Sequence, residues 1–556
     1  MPSAERRGEA TGDSLCERPH WWIYALISVF VYSTCTAIVM LVSMRLDGGH
    51  LVYALDDPYI HLAMARIWLQ FGTVGISPGT FAPATSSPLW TAMIVAFEWA
   101  VGLHDALPLV LDVLSCLLLL TVFWYAAATS EPMPHSRRGG FWWVCAAVAL
   151  PIIGHLPGLT LAGLEHPLHA ALTIAFVALL FRSTNPAPAR WWLLVLALLL
   201  PLVRLEGMFA VLLGAVILLW RRQRVSAVLV GAAGILPTAL LGLFYHQHGA
   251  LWLSNSIVAK AVPRTGILGW ITYLAGHTAT NLMEDPFLRA IIFLALVWVV
   301  WSLRSRRPET IQKAGLFFGM LVAQVVLASV GWFDRYQAYL IILGAWFLVS
   351  EDGLALLVDP ATFRQHAVGM ALAVVAVLGL GHHKVGDLLS TPEATNNVYE
   401  QQYQMARFIA AYYPGASVAA NDVGLLSDGT NRHITDLYGL GSTDILRVAR
   451  AAGGQQYMLG AAVAPLLARA GAQVMVIYPD WFQPSLYANW FPVARWTIGG
   501  TRVTVAEPSV VFFAPTNQGA ALLRQNLIAF QPQLPTDERV SYLKPVAGAP
   551  SSNAIR

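Results

Sequence analysis

The chain has 556 residues, of which 56% are hydrophobic and only 12% are charged, and its mean hydropathy is +0.57. A soluble domain carries about twice that charged fraction, so the composition excludes an ordinary soluble protein and predicts a polytopic membrane protein. The formal net charge of +3 is small, and the basic residues lie in short clusters between apolar segments. Such clusters are typical of topology signals and indicate no nucleic-acid partner.

Residues 1–20 are expected to form a cytoplasmic tail, and the apolar stretch from Trp21 to Met44 is long enough to be a signal-anchor helix. Further apolar runs follow near residues 107–128, 141–153, 168–181, 191–203, 207–220, 225–245, 287–301, 314–330, 336–349 and 367–380. If the ambiguous segment 88–103 does not cross, the arginine clusters fall on the cytoplasmic side, as the positive-inside rule requires. The sequence therefore predicts about eleven spans in a membrane domain of residues 21–381, with the C-terminus outside.

Two adjacent carboxylates, Asp56 and Asp57, lie in the first external loop, residues 45–106. Charge beside a bilayer is costly and usually has a partner or a task. Asp57 followed by Pro58 is typical of a helix start, with Asp57 as N-cap, and the helix is too short to span, so it should lie at the membrane interface. Asp57 can therefore have a purely structural role, whereas Asp56 has no such duty, and we predict Asp56 as a general base with Asp57 positioning or contacting substrate.

The same topology places the other unusual polar sequences on the external face. They are the hydroxyl-rich loop 75–90 with Ser86, Ser87 and Trp90, the pair Glu165 and His166, the pair Arg204 and Glu206, and the loop with Asn255, Lys260 and Arg264. Arginine and lysine suit a phosphate, and the loop could bind a sugar or phosphate. The alternatives are a plain connecting loop, a structural Arg204–Glu206 ion pair and ordinary juxtamembrane charge.

Residues 382–530 are more polar, and their strand, helix and strand patterns predict an extracytoplasmic α/β domain. The predicted strands are Ser417 to Asn421 and Val474 to Tyr478. Asp422 and Asp436 follow strands, where sites are frequent in α/β folds, although turn capping is equally compatible. The tail, residues 531–556, is proline-rich and expected to be loose. We assign no metal-ligating residues.

Together these motifs resemble the GT-C superfamily of polyprenyl-phosphate-dependent glycosyltransferases, and most closely the mycobacterial terminal β-1,2-arabinofuranosyltransferase family. The matching segments are Asp56-Asp57-Pro-Tyr59-Ile60, Ser86 to Trp90, Gly163-Leu-Glu165, Arg204-Leu-Glu206-Gly207, Asn255 to Lys260, Arg335-Tyr336, Asn421-Asp422-Val-Gly424 and Asp436 to Leu440. The segment from His61 to Arg66 departs from a more basic and aromatic family pattern.

The resemblance implies an inverting transferase of the bacterial inner membrane, with its site and C-terminal domain on the periplasmic side. A carboxylate, Asp56 or Asp57, would be the base, and Tyr59, His61, Arg66 and Arg335 would join the loop residues above in binding substrate or donor phosphate. The implied partners are a polyprenyl-phosphate sugar, arabinofuranose first, a glycan, lipid or protein acceptor, and the bilayer. A hexose or aminopentose donor remains an alternative, as does a flippase, and some members bind a divalent cation (Mg, Mn or Ca).

Overall fold

The computed structural model describes residues 20–130, 137–182, 187–261, 266–350, 381–428, 433–451 and 459–543. Within them, a bundle of apolar helices is followed by a small domain built on a mixed sheet. The helices of the first part are α1 Trp21–Leu46, α2 Asp57–Phe71, α3 Pro88–Val101, α4 Leu107–Ser130, α5 Arg137–Ile153, α6 Leu156–Ala162, α7 His166–Phe181, α8 Ala187–Val203, α9 Gly207–Trp220, α10 Arg224–Gln247, α11 Asn255–Lys260, α12 Gly266–Glu284, α13 Pro286–Ser305, α14 Pro308–Leu327 and α15 Ala338–Ser350.

Six helical segments of the described chain are long and apolar enough to cross a membrane, namely α1, α4, α10, α14, residues Phe141–Ala162 and residues Pro286–Arg304. Several further apolar helices are shorter, including α3, α7, α9 and α15. They pack into one large apolar core, in which α4 lies against α7 and α8 against α10. The protein is therefore a multi-pass membrane protein. The run near 367–380 lies outside the described residues, and α12 was not predicted from the sequence.

Helix α2 begins one residue earlier than the sequence indicated. Asp57 is its first residue and Asp56 occupies the N-cap position, where its side chain makes no capping bond to α2. Pro58 stands at the start, where a missing N–H costs nothing, and Gly72 ends the helix with a left-handed φ of 66°. The prediction that Asp57 is the N-cap is therefore wrong.

The C-terminal domain begins on a continuous helical segment. Helix α16, residues 381–398, runs through a π-helical turn, Tyr399–Tyr403, into α17, Gln404–Tyr412. The remaining elements are β1 Val418–Ala420, α18 Gly424–Ser427, β2 Ile434–Asp436, α19 Thr443–Ala451, α20 Ala464–Ala470, β3 Val474–Ile477, α21 Pro484–Tyr487, β4 Phe491–Thr497, β5 Ser509–Ala514, α22 Asn517–Phe530 and β6 Arg539–Tyr542. The two strands predicted from the sequence correspond to β1 and β3.

The six strands have the order β2-β1-β3-β5-β4-β6. Strands β2, β1 and β3 are parallel, with Val418 opposite both Ile434 and Val474, and β5, β4 and β6 add to them antiparallel. Strand β6 corrects one expectation. The segment from residue 531 is not loose throughout, because residues 539–542 pair with β4 at the sheet edge, whereas residues 544–556 lie outside the described part.

Candidate active site

A cavity of about 490 Å³ lies where the helical bundle meets the α/β domain. The bundle contributes the start of α2, the loop before α3, and parts of α11, α12 and the segment before α15, and the α/β domain contributes the loops after its parallel strands. Of the residues expected to form a site, the cavity is lined by Asp56, Asp57, His61, Ser86, Lys260, Arg335 and Asp422.

Asp57 faces a group of cations. Its Oδ2 lies 2.7 Å from Nη1 of Arg335, and the side chain is 40% exposed, toward the cavity. Arg335 Nη2 and Lys260 Nζ each donate to the hydroxyl of Tyr336 at 3.0 Å. We call Lys260, Arg335 and Tyr336 the cation clamp. Burial alone would raise the pKa of Asp57, but the charges of Arg335 and Lys260 outweigh it and hold that pKa below its usual range.

Tyr336 stands between three cations. The ring centre is 4.8 Å from the Arg335 guanidinium, 5.1 Å from the Lys260 ammonium and 5.4 Å from the Arg204 guanidinium. Burial would raise the pKa of Tyr336, yet the charges of Arg335 and Lys260 lower it to about 8. The clamp thus offers positive charge and a hydroxyl in one place, which suits an oxyanion.

A strained turn presents the clamp residues Arg335 and Tyr336. Trp332, Phe333 and Asp334 have φ of 49°, 64° and 62°, a run of left-handed conformations that is unfavourable for residues with a side chain. The buried Lys384 of α16 holds this turn, with Nζ 2.6 Å from Asp334.

Asp56 is engaged with the other domain. Its carboxylate accepts the backbone N–H groups of Gly424, at 2.5 Å, and Leu425, at 2.9 Å. The expectation that Asp56 has no structural duty is therefore wrong, because this carboxylate joins α2 to α18. Sequence reasoning missed it because the bond spans 368 positions of the chain.

Asp56 also lies against Asp422. Burial and the neighbouring Asp422 raise the pKa of Asp56 well above its usual range, and burial raises that of Asp422. Asp422 Oδ2 accepts from Gln402 Nε2 at 2.6 Å and from the Tyr478 hydroxyl at 3.0 Å. Two carboxyl groups this close ionise together only at high cost, so the arrangement favours one proton shared between them.

His61 lies one turn after Asp57 and lines the cavity beside Ser86. Its Nδ1 is 2.7 Å from the Thr91 hydroxyl. Burial lowers the pKa of His61 despite the nearby carboxylates, so the ring is neutral at pH 7. Ser87, Trp90 and Tyr59 lie behind the cavity wall, in the buried layer beneath it.

Two groups of residues that were expected to bind substrate lie outside the cavity lining and form ion pairs instead. Arg204 forms ion pairs with Glu165 at 2.7 Å and with Glu206 at 2.8 Å. The Arg204–Glu206 pair is the structural alternative of the sequence analysis, and His166 is also buried. Arg66 pairs with Asp105 at 2.5 Å and with Asp428, and so fixes α2 to the α/β domain.

Asn255 and Asp436 are not among the residues that line the cavity, but each bonds to a segment that does line it. Asn255 Nδ2 donates to the Leu440 carbonyl at 2.9 Å. Asp436 accepts hydrogen bonds from the backbone N–H groups of Tyr438 and Gly441, both at 2.7 Å. Asp436 therefore caps a turn, which was the structural alternative to a site role in the sequence analysis. Burial raises the pKa of Asp436 to about 6 even though these N–H groups act to lower it. Arg264 lies outside the described residues.

Sequence reasoning assigned no site role to most residues of the opposite wall. His277, Asn281 and Glu284 come from α12, and Tyr438 and Trp481 come from the loops after β2 and β3. Trp481 follows a strand that the sequence did predict, so its position at a carboxyl end was the signal available. Among the described residues, no group of three or more His, Cys, Asp or Glu is arranged to hold a metal.

Comparison with known proteins gives a domain match and a fold. The model of a domain of unknown function (DUF8728) matches residues 396–513. No curated protein matches the chain.

Among solved structures, ArnT from Cupriavidus metallidurans in the apo state is similar over 89% of this chain and 98% of its own, with 14% identity and a TM-score of 0.50. The same protein bound to undecaprenyl phosphate covers 88% of this chain and 98% of its own, with 14% identity and a TM-score of 0.49. An Archaeoglobus fulgidus oligosaccharyltransferase in complex with Zn and sulfate covers 90% of this chain and 77% of its own, with 13% identity and a TM-score of 0.31. The likeness to apo ArnT shows that the chain has the ArnT-like GT-C fold, a multi-pass helical bundle with a C-terminal α/β domain.

Proposed function

We propose that the protein is a membrane glycosyltransferase that moves a sugar from a polyprenyl-phosphate donor to an extracytoplasmic acceptor. The observation that carries the proposal is the cation clamp in direct contact with Asp57 on the wall of one cavity, at the junction of bundle and α/β domain. ArnT, whose fold this chain shares, has been crystallised with undecaprenyl phosphate, which supports a lipid phosphate as the donor head group.

The clamp provides what a departing phosphate needs. As the bond between the anomeric carbon and the phosphate oxygen breaks, negative charge grows on the phosphate. Lys260 and Arg335 are already fixed by Tyr336, so they stabilise that charge without reorganising. The Tyr336 hydroxyl accepts from both cations and has its own proton to donate to the phosphate.

Asp57 is the better candidate for the general base. The acceptor hydroxyl gives its proton to the Asp57 carboxylate, its oxygen bonds to the anomeric carbon, and the polyprenyl phosphate leaves from the opposite side with inversion. A lowered pKa makes Asp57 a weak base, so the proton moves late, when the bond to the phosphate is largely broken and the hydroxyl has become acidic. Asp56, our first choice from the sequence, is held by two N–H groups and shares a proton with Asp422, and we assign it to positioning.

The test uses the full chain in nanodiscs, with a cell-envelope extract as the source of acceptor. Three donors are supplied in parallel reactions: decaprenyl-phosphate arabinofuranose, a polyprenyl-phosphate hexose and a polyprenyl-phosphate aminopentose. We expect one donor to be consumed, and Asp57→Asn to lower kcat by about 10²–10⁴-fold. Arg335→Lys should chiefly raise the donor KM, since lysine cannot keep both of the Arg335 contacts.

Arg407→Lys is the matched control, because that arginine lies on α17 and is not among the residues that line the cavity. Failure of all three donors, or an Asp57→Asn variant with wild-type kcat, contradicts the proposal. A flippase should place ionisable groups at mid-membrane, whereas these lie beside the α/β domain. Location in the bacterial inner membrane, with the cavity on the periplasmic face, belongs to the same proposal.

A further inference from the structure

The α/β domain brings a crevice of its own to the cavity. Its parallel strands β2, β1 and β3 end at one edge of the sheet, and β1 lies between the other two. The chain leaves β1 toward β2 and then crosses to β3 on the other side. In such sheets, ligands bind outside the carboxyl ends of the strands at the point where the order reverses.

That crevice opens into the catalytic cavity. Asn421 and Asp422 follow β1, Tyr438 follows β2, and Trp481 follows β3, and all four line the cavity. The Tyr478 N–H donates to Asn421 Oδ1 at 2.9 Å, which closes the floor of the crevice and fixes the orientation of the amide.

The crevice contains one unused donor and one unused acceptor. Asn421 Nδ2 and Gln402 Oε1 are buried and have no hydrogen-bond partner among the described residues, and the two side chains are 7% and 2% exposed. Leaving such groups unpaired is costly, so they indicate a ligand that completes them. A hydroxyl group both donates and accepts, and it matches this pair.

The rim of the crevice is aromatic. The Trp481 ring lies 5.8 Å from the Tyr438 ring and 5.3 Å from that of Tyr478, and Trp481 and Tyr438 are both partly exposed. Within the described part of the α/β domain, the residues that line the cavity include neither Lys nor Arg. Flat apolar faces beside amide groups suit the C–H face and the hydroxyls of a sugar ring, and they offer nothing to an anion.

We propose that this crevice is the acceptor site and that the acceptor is an uncharged glycan. Its terminal sugar stacks on Trp481 and Tyr438, and its hydroxyls pair with Asn421 and Gln402. The inference rests on the proposed function, since it places the acceptor opposite the donor clamp, with Asp57 between them.

A binding experiment separates this inference from the transfer reaction. The full chain in nanodiscs is titrated with three probes, an arabinofuranosyl tetrasaccharide, mannotetraose and mannotetraose phosphate, and tryptophan fluorescence is followed. We expect at least one of the two neutral probes to bind, whereas the phosphate can also bind the cation clamp of the same cavity and therefore reports on the donor side. Trp481→Ala and Asn421→Ala should each weaken binding of the neutral probe about tenfold or more, and Trp481→Phe should recover part of the loss. Trp490→Ala is the control, because Trp490 packs on Phe513 and is not among the cavity-lining residues.

With an active donor, Trp481→Ala should raise the acceptor KM about tenfold while the donor KM stays within twofold of wild type. Failure of both neutral probes to bind, or wild-type affinity in both Trp481→Ala and Asn421→Ala, overturns the acceptor site. A wild-type protein that binds the neutral probe but consumes no lipid donor overturns the proposed function and leaves the crevice standing as a glycan site.

Discussion

Gly424 is a residue at which the α/β domain approaches α2 very closely beside the site. Its N–H donates to Asp56, and a methyl group added there would lie 2.7 Å from the Asp56 Cγ and closer still to the Asp56 carbonyl oxygen. The obstacle is backbone, so no side-chain rotation relieves it. Gly424→Ala is therefore a minimal change that pushes α18 of the α/β domain away from Asp56.

The size of the effect follows from that distance. Non-bonded heavy atoms settle near about 3.5 Å, so α18 or the start of α2 must move by about 1 Å. Such a shift weakens the N–H bonds to the Asp56 carboxyl, and bonds of this kind contribute about 1.5–3 kcal/mol each when the acceptor is charged. It also moves Asp57, the next residue, and a misplacement of about 1 Å lowers a rate by about 10²-fold.

The assay is transfer from the active lipid donor, with kcat and Tm measured on the same preparation. Gly386→Ala is the control, because a methyl group on that glycine of α16 meets nothing within 4 Å. We expect kcat to fall about 10²-fold in Gly424→Ala and to stay within twofold in Gly386→Ala. If Gly424→Ala keeps both kcat and Tm, the close domain contact is not what positions Asp57.

Three further predictions concern pH and stability. Tyr336 is neutral below its pKa of about 8 and anionic above it, so donor KM should rise as pH increases through 8, and Tyr336→Phe should remove that rise in a pH series. Lys384→Met leaves the buried Asp334 carboxylate without its cation, which should destabilise the protein by about 3–5 kcal/mol in denaturant unfolding; an unchanged midpoint would contradict the role of the pair. Asp436→Ala removes the acceptor for two backbone N–H groups and should lower Tm, while Asp436→Asn, which keeps one oxygen acceptor, should lower it less.

The sequence was sufficient for what depends on local patterns. Apolar runs predicted most of the described bundle helices, and a buried run of β-branched residues predicted β3. Helix α12 was missed because polar residues such as His277 and Asn281 interrupt its apolar pattern. Those same residues line the cavity, so the apolar pattern of α12 is weak where the helix contributes polar side chains to the site.

The sequence indicated several of the residues that line the site, but not the role of each residue. Charge and loop position singled out Asp56, Asp57 and Lys260, yet the roles depend on contacts far apart in sequence. Arg335 is 278 positions from Asp57, and Gly424 is 368 positions from Asp56. Because these partners cannot be seen in the sequence, helix capping alone pointed to Asp57 as the structural carboxylate, whereas Asp56 has that role.

The adjacent carboxylates Asp56 and Asp57 at the start of α2 point in different directions, and each contacts a different domain. Asp57 turns to the clamp of the bundle, while Asp56 turns to α18 and Asp422 of the α/β domain. One stretch of backbone thus couples the donor side to the acceptor side. Since the pKa of both members of the Asp56–Asp422 pair is raised, the shared proton stabilises this contact fully below the usual carboxyl pKa, and the stabilisation is lost as pH rises through the raised pKa. Ionising both would set two negative charges against each other where the domains meet, so rising pH should weaken the same junction that positions the base.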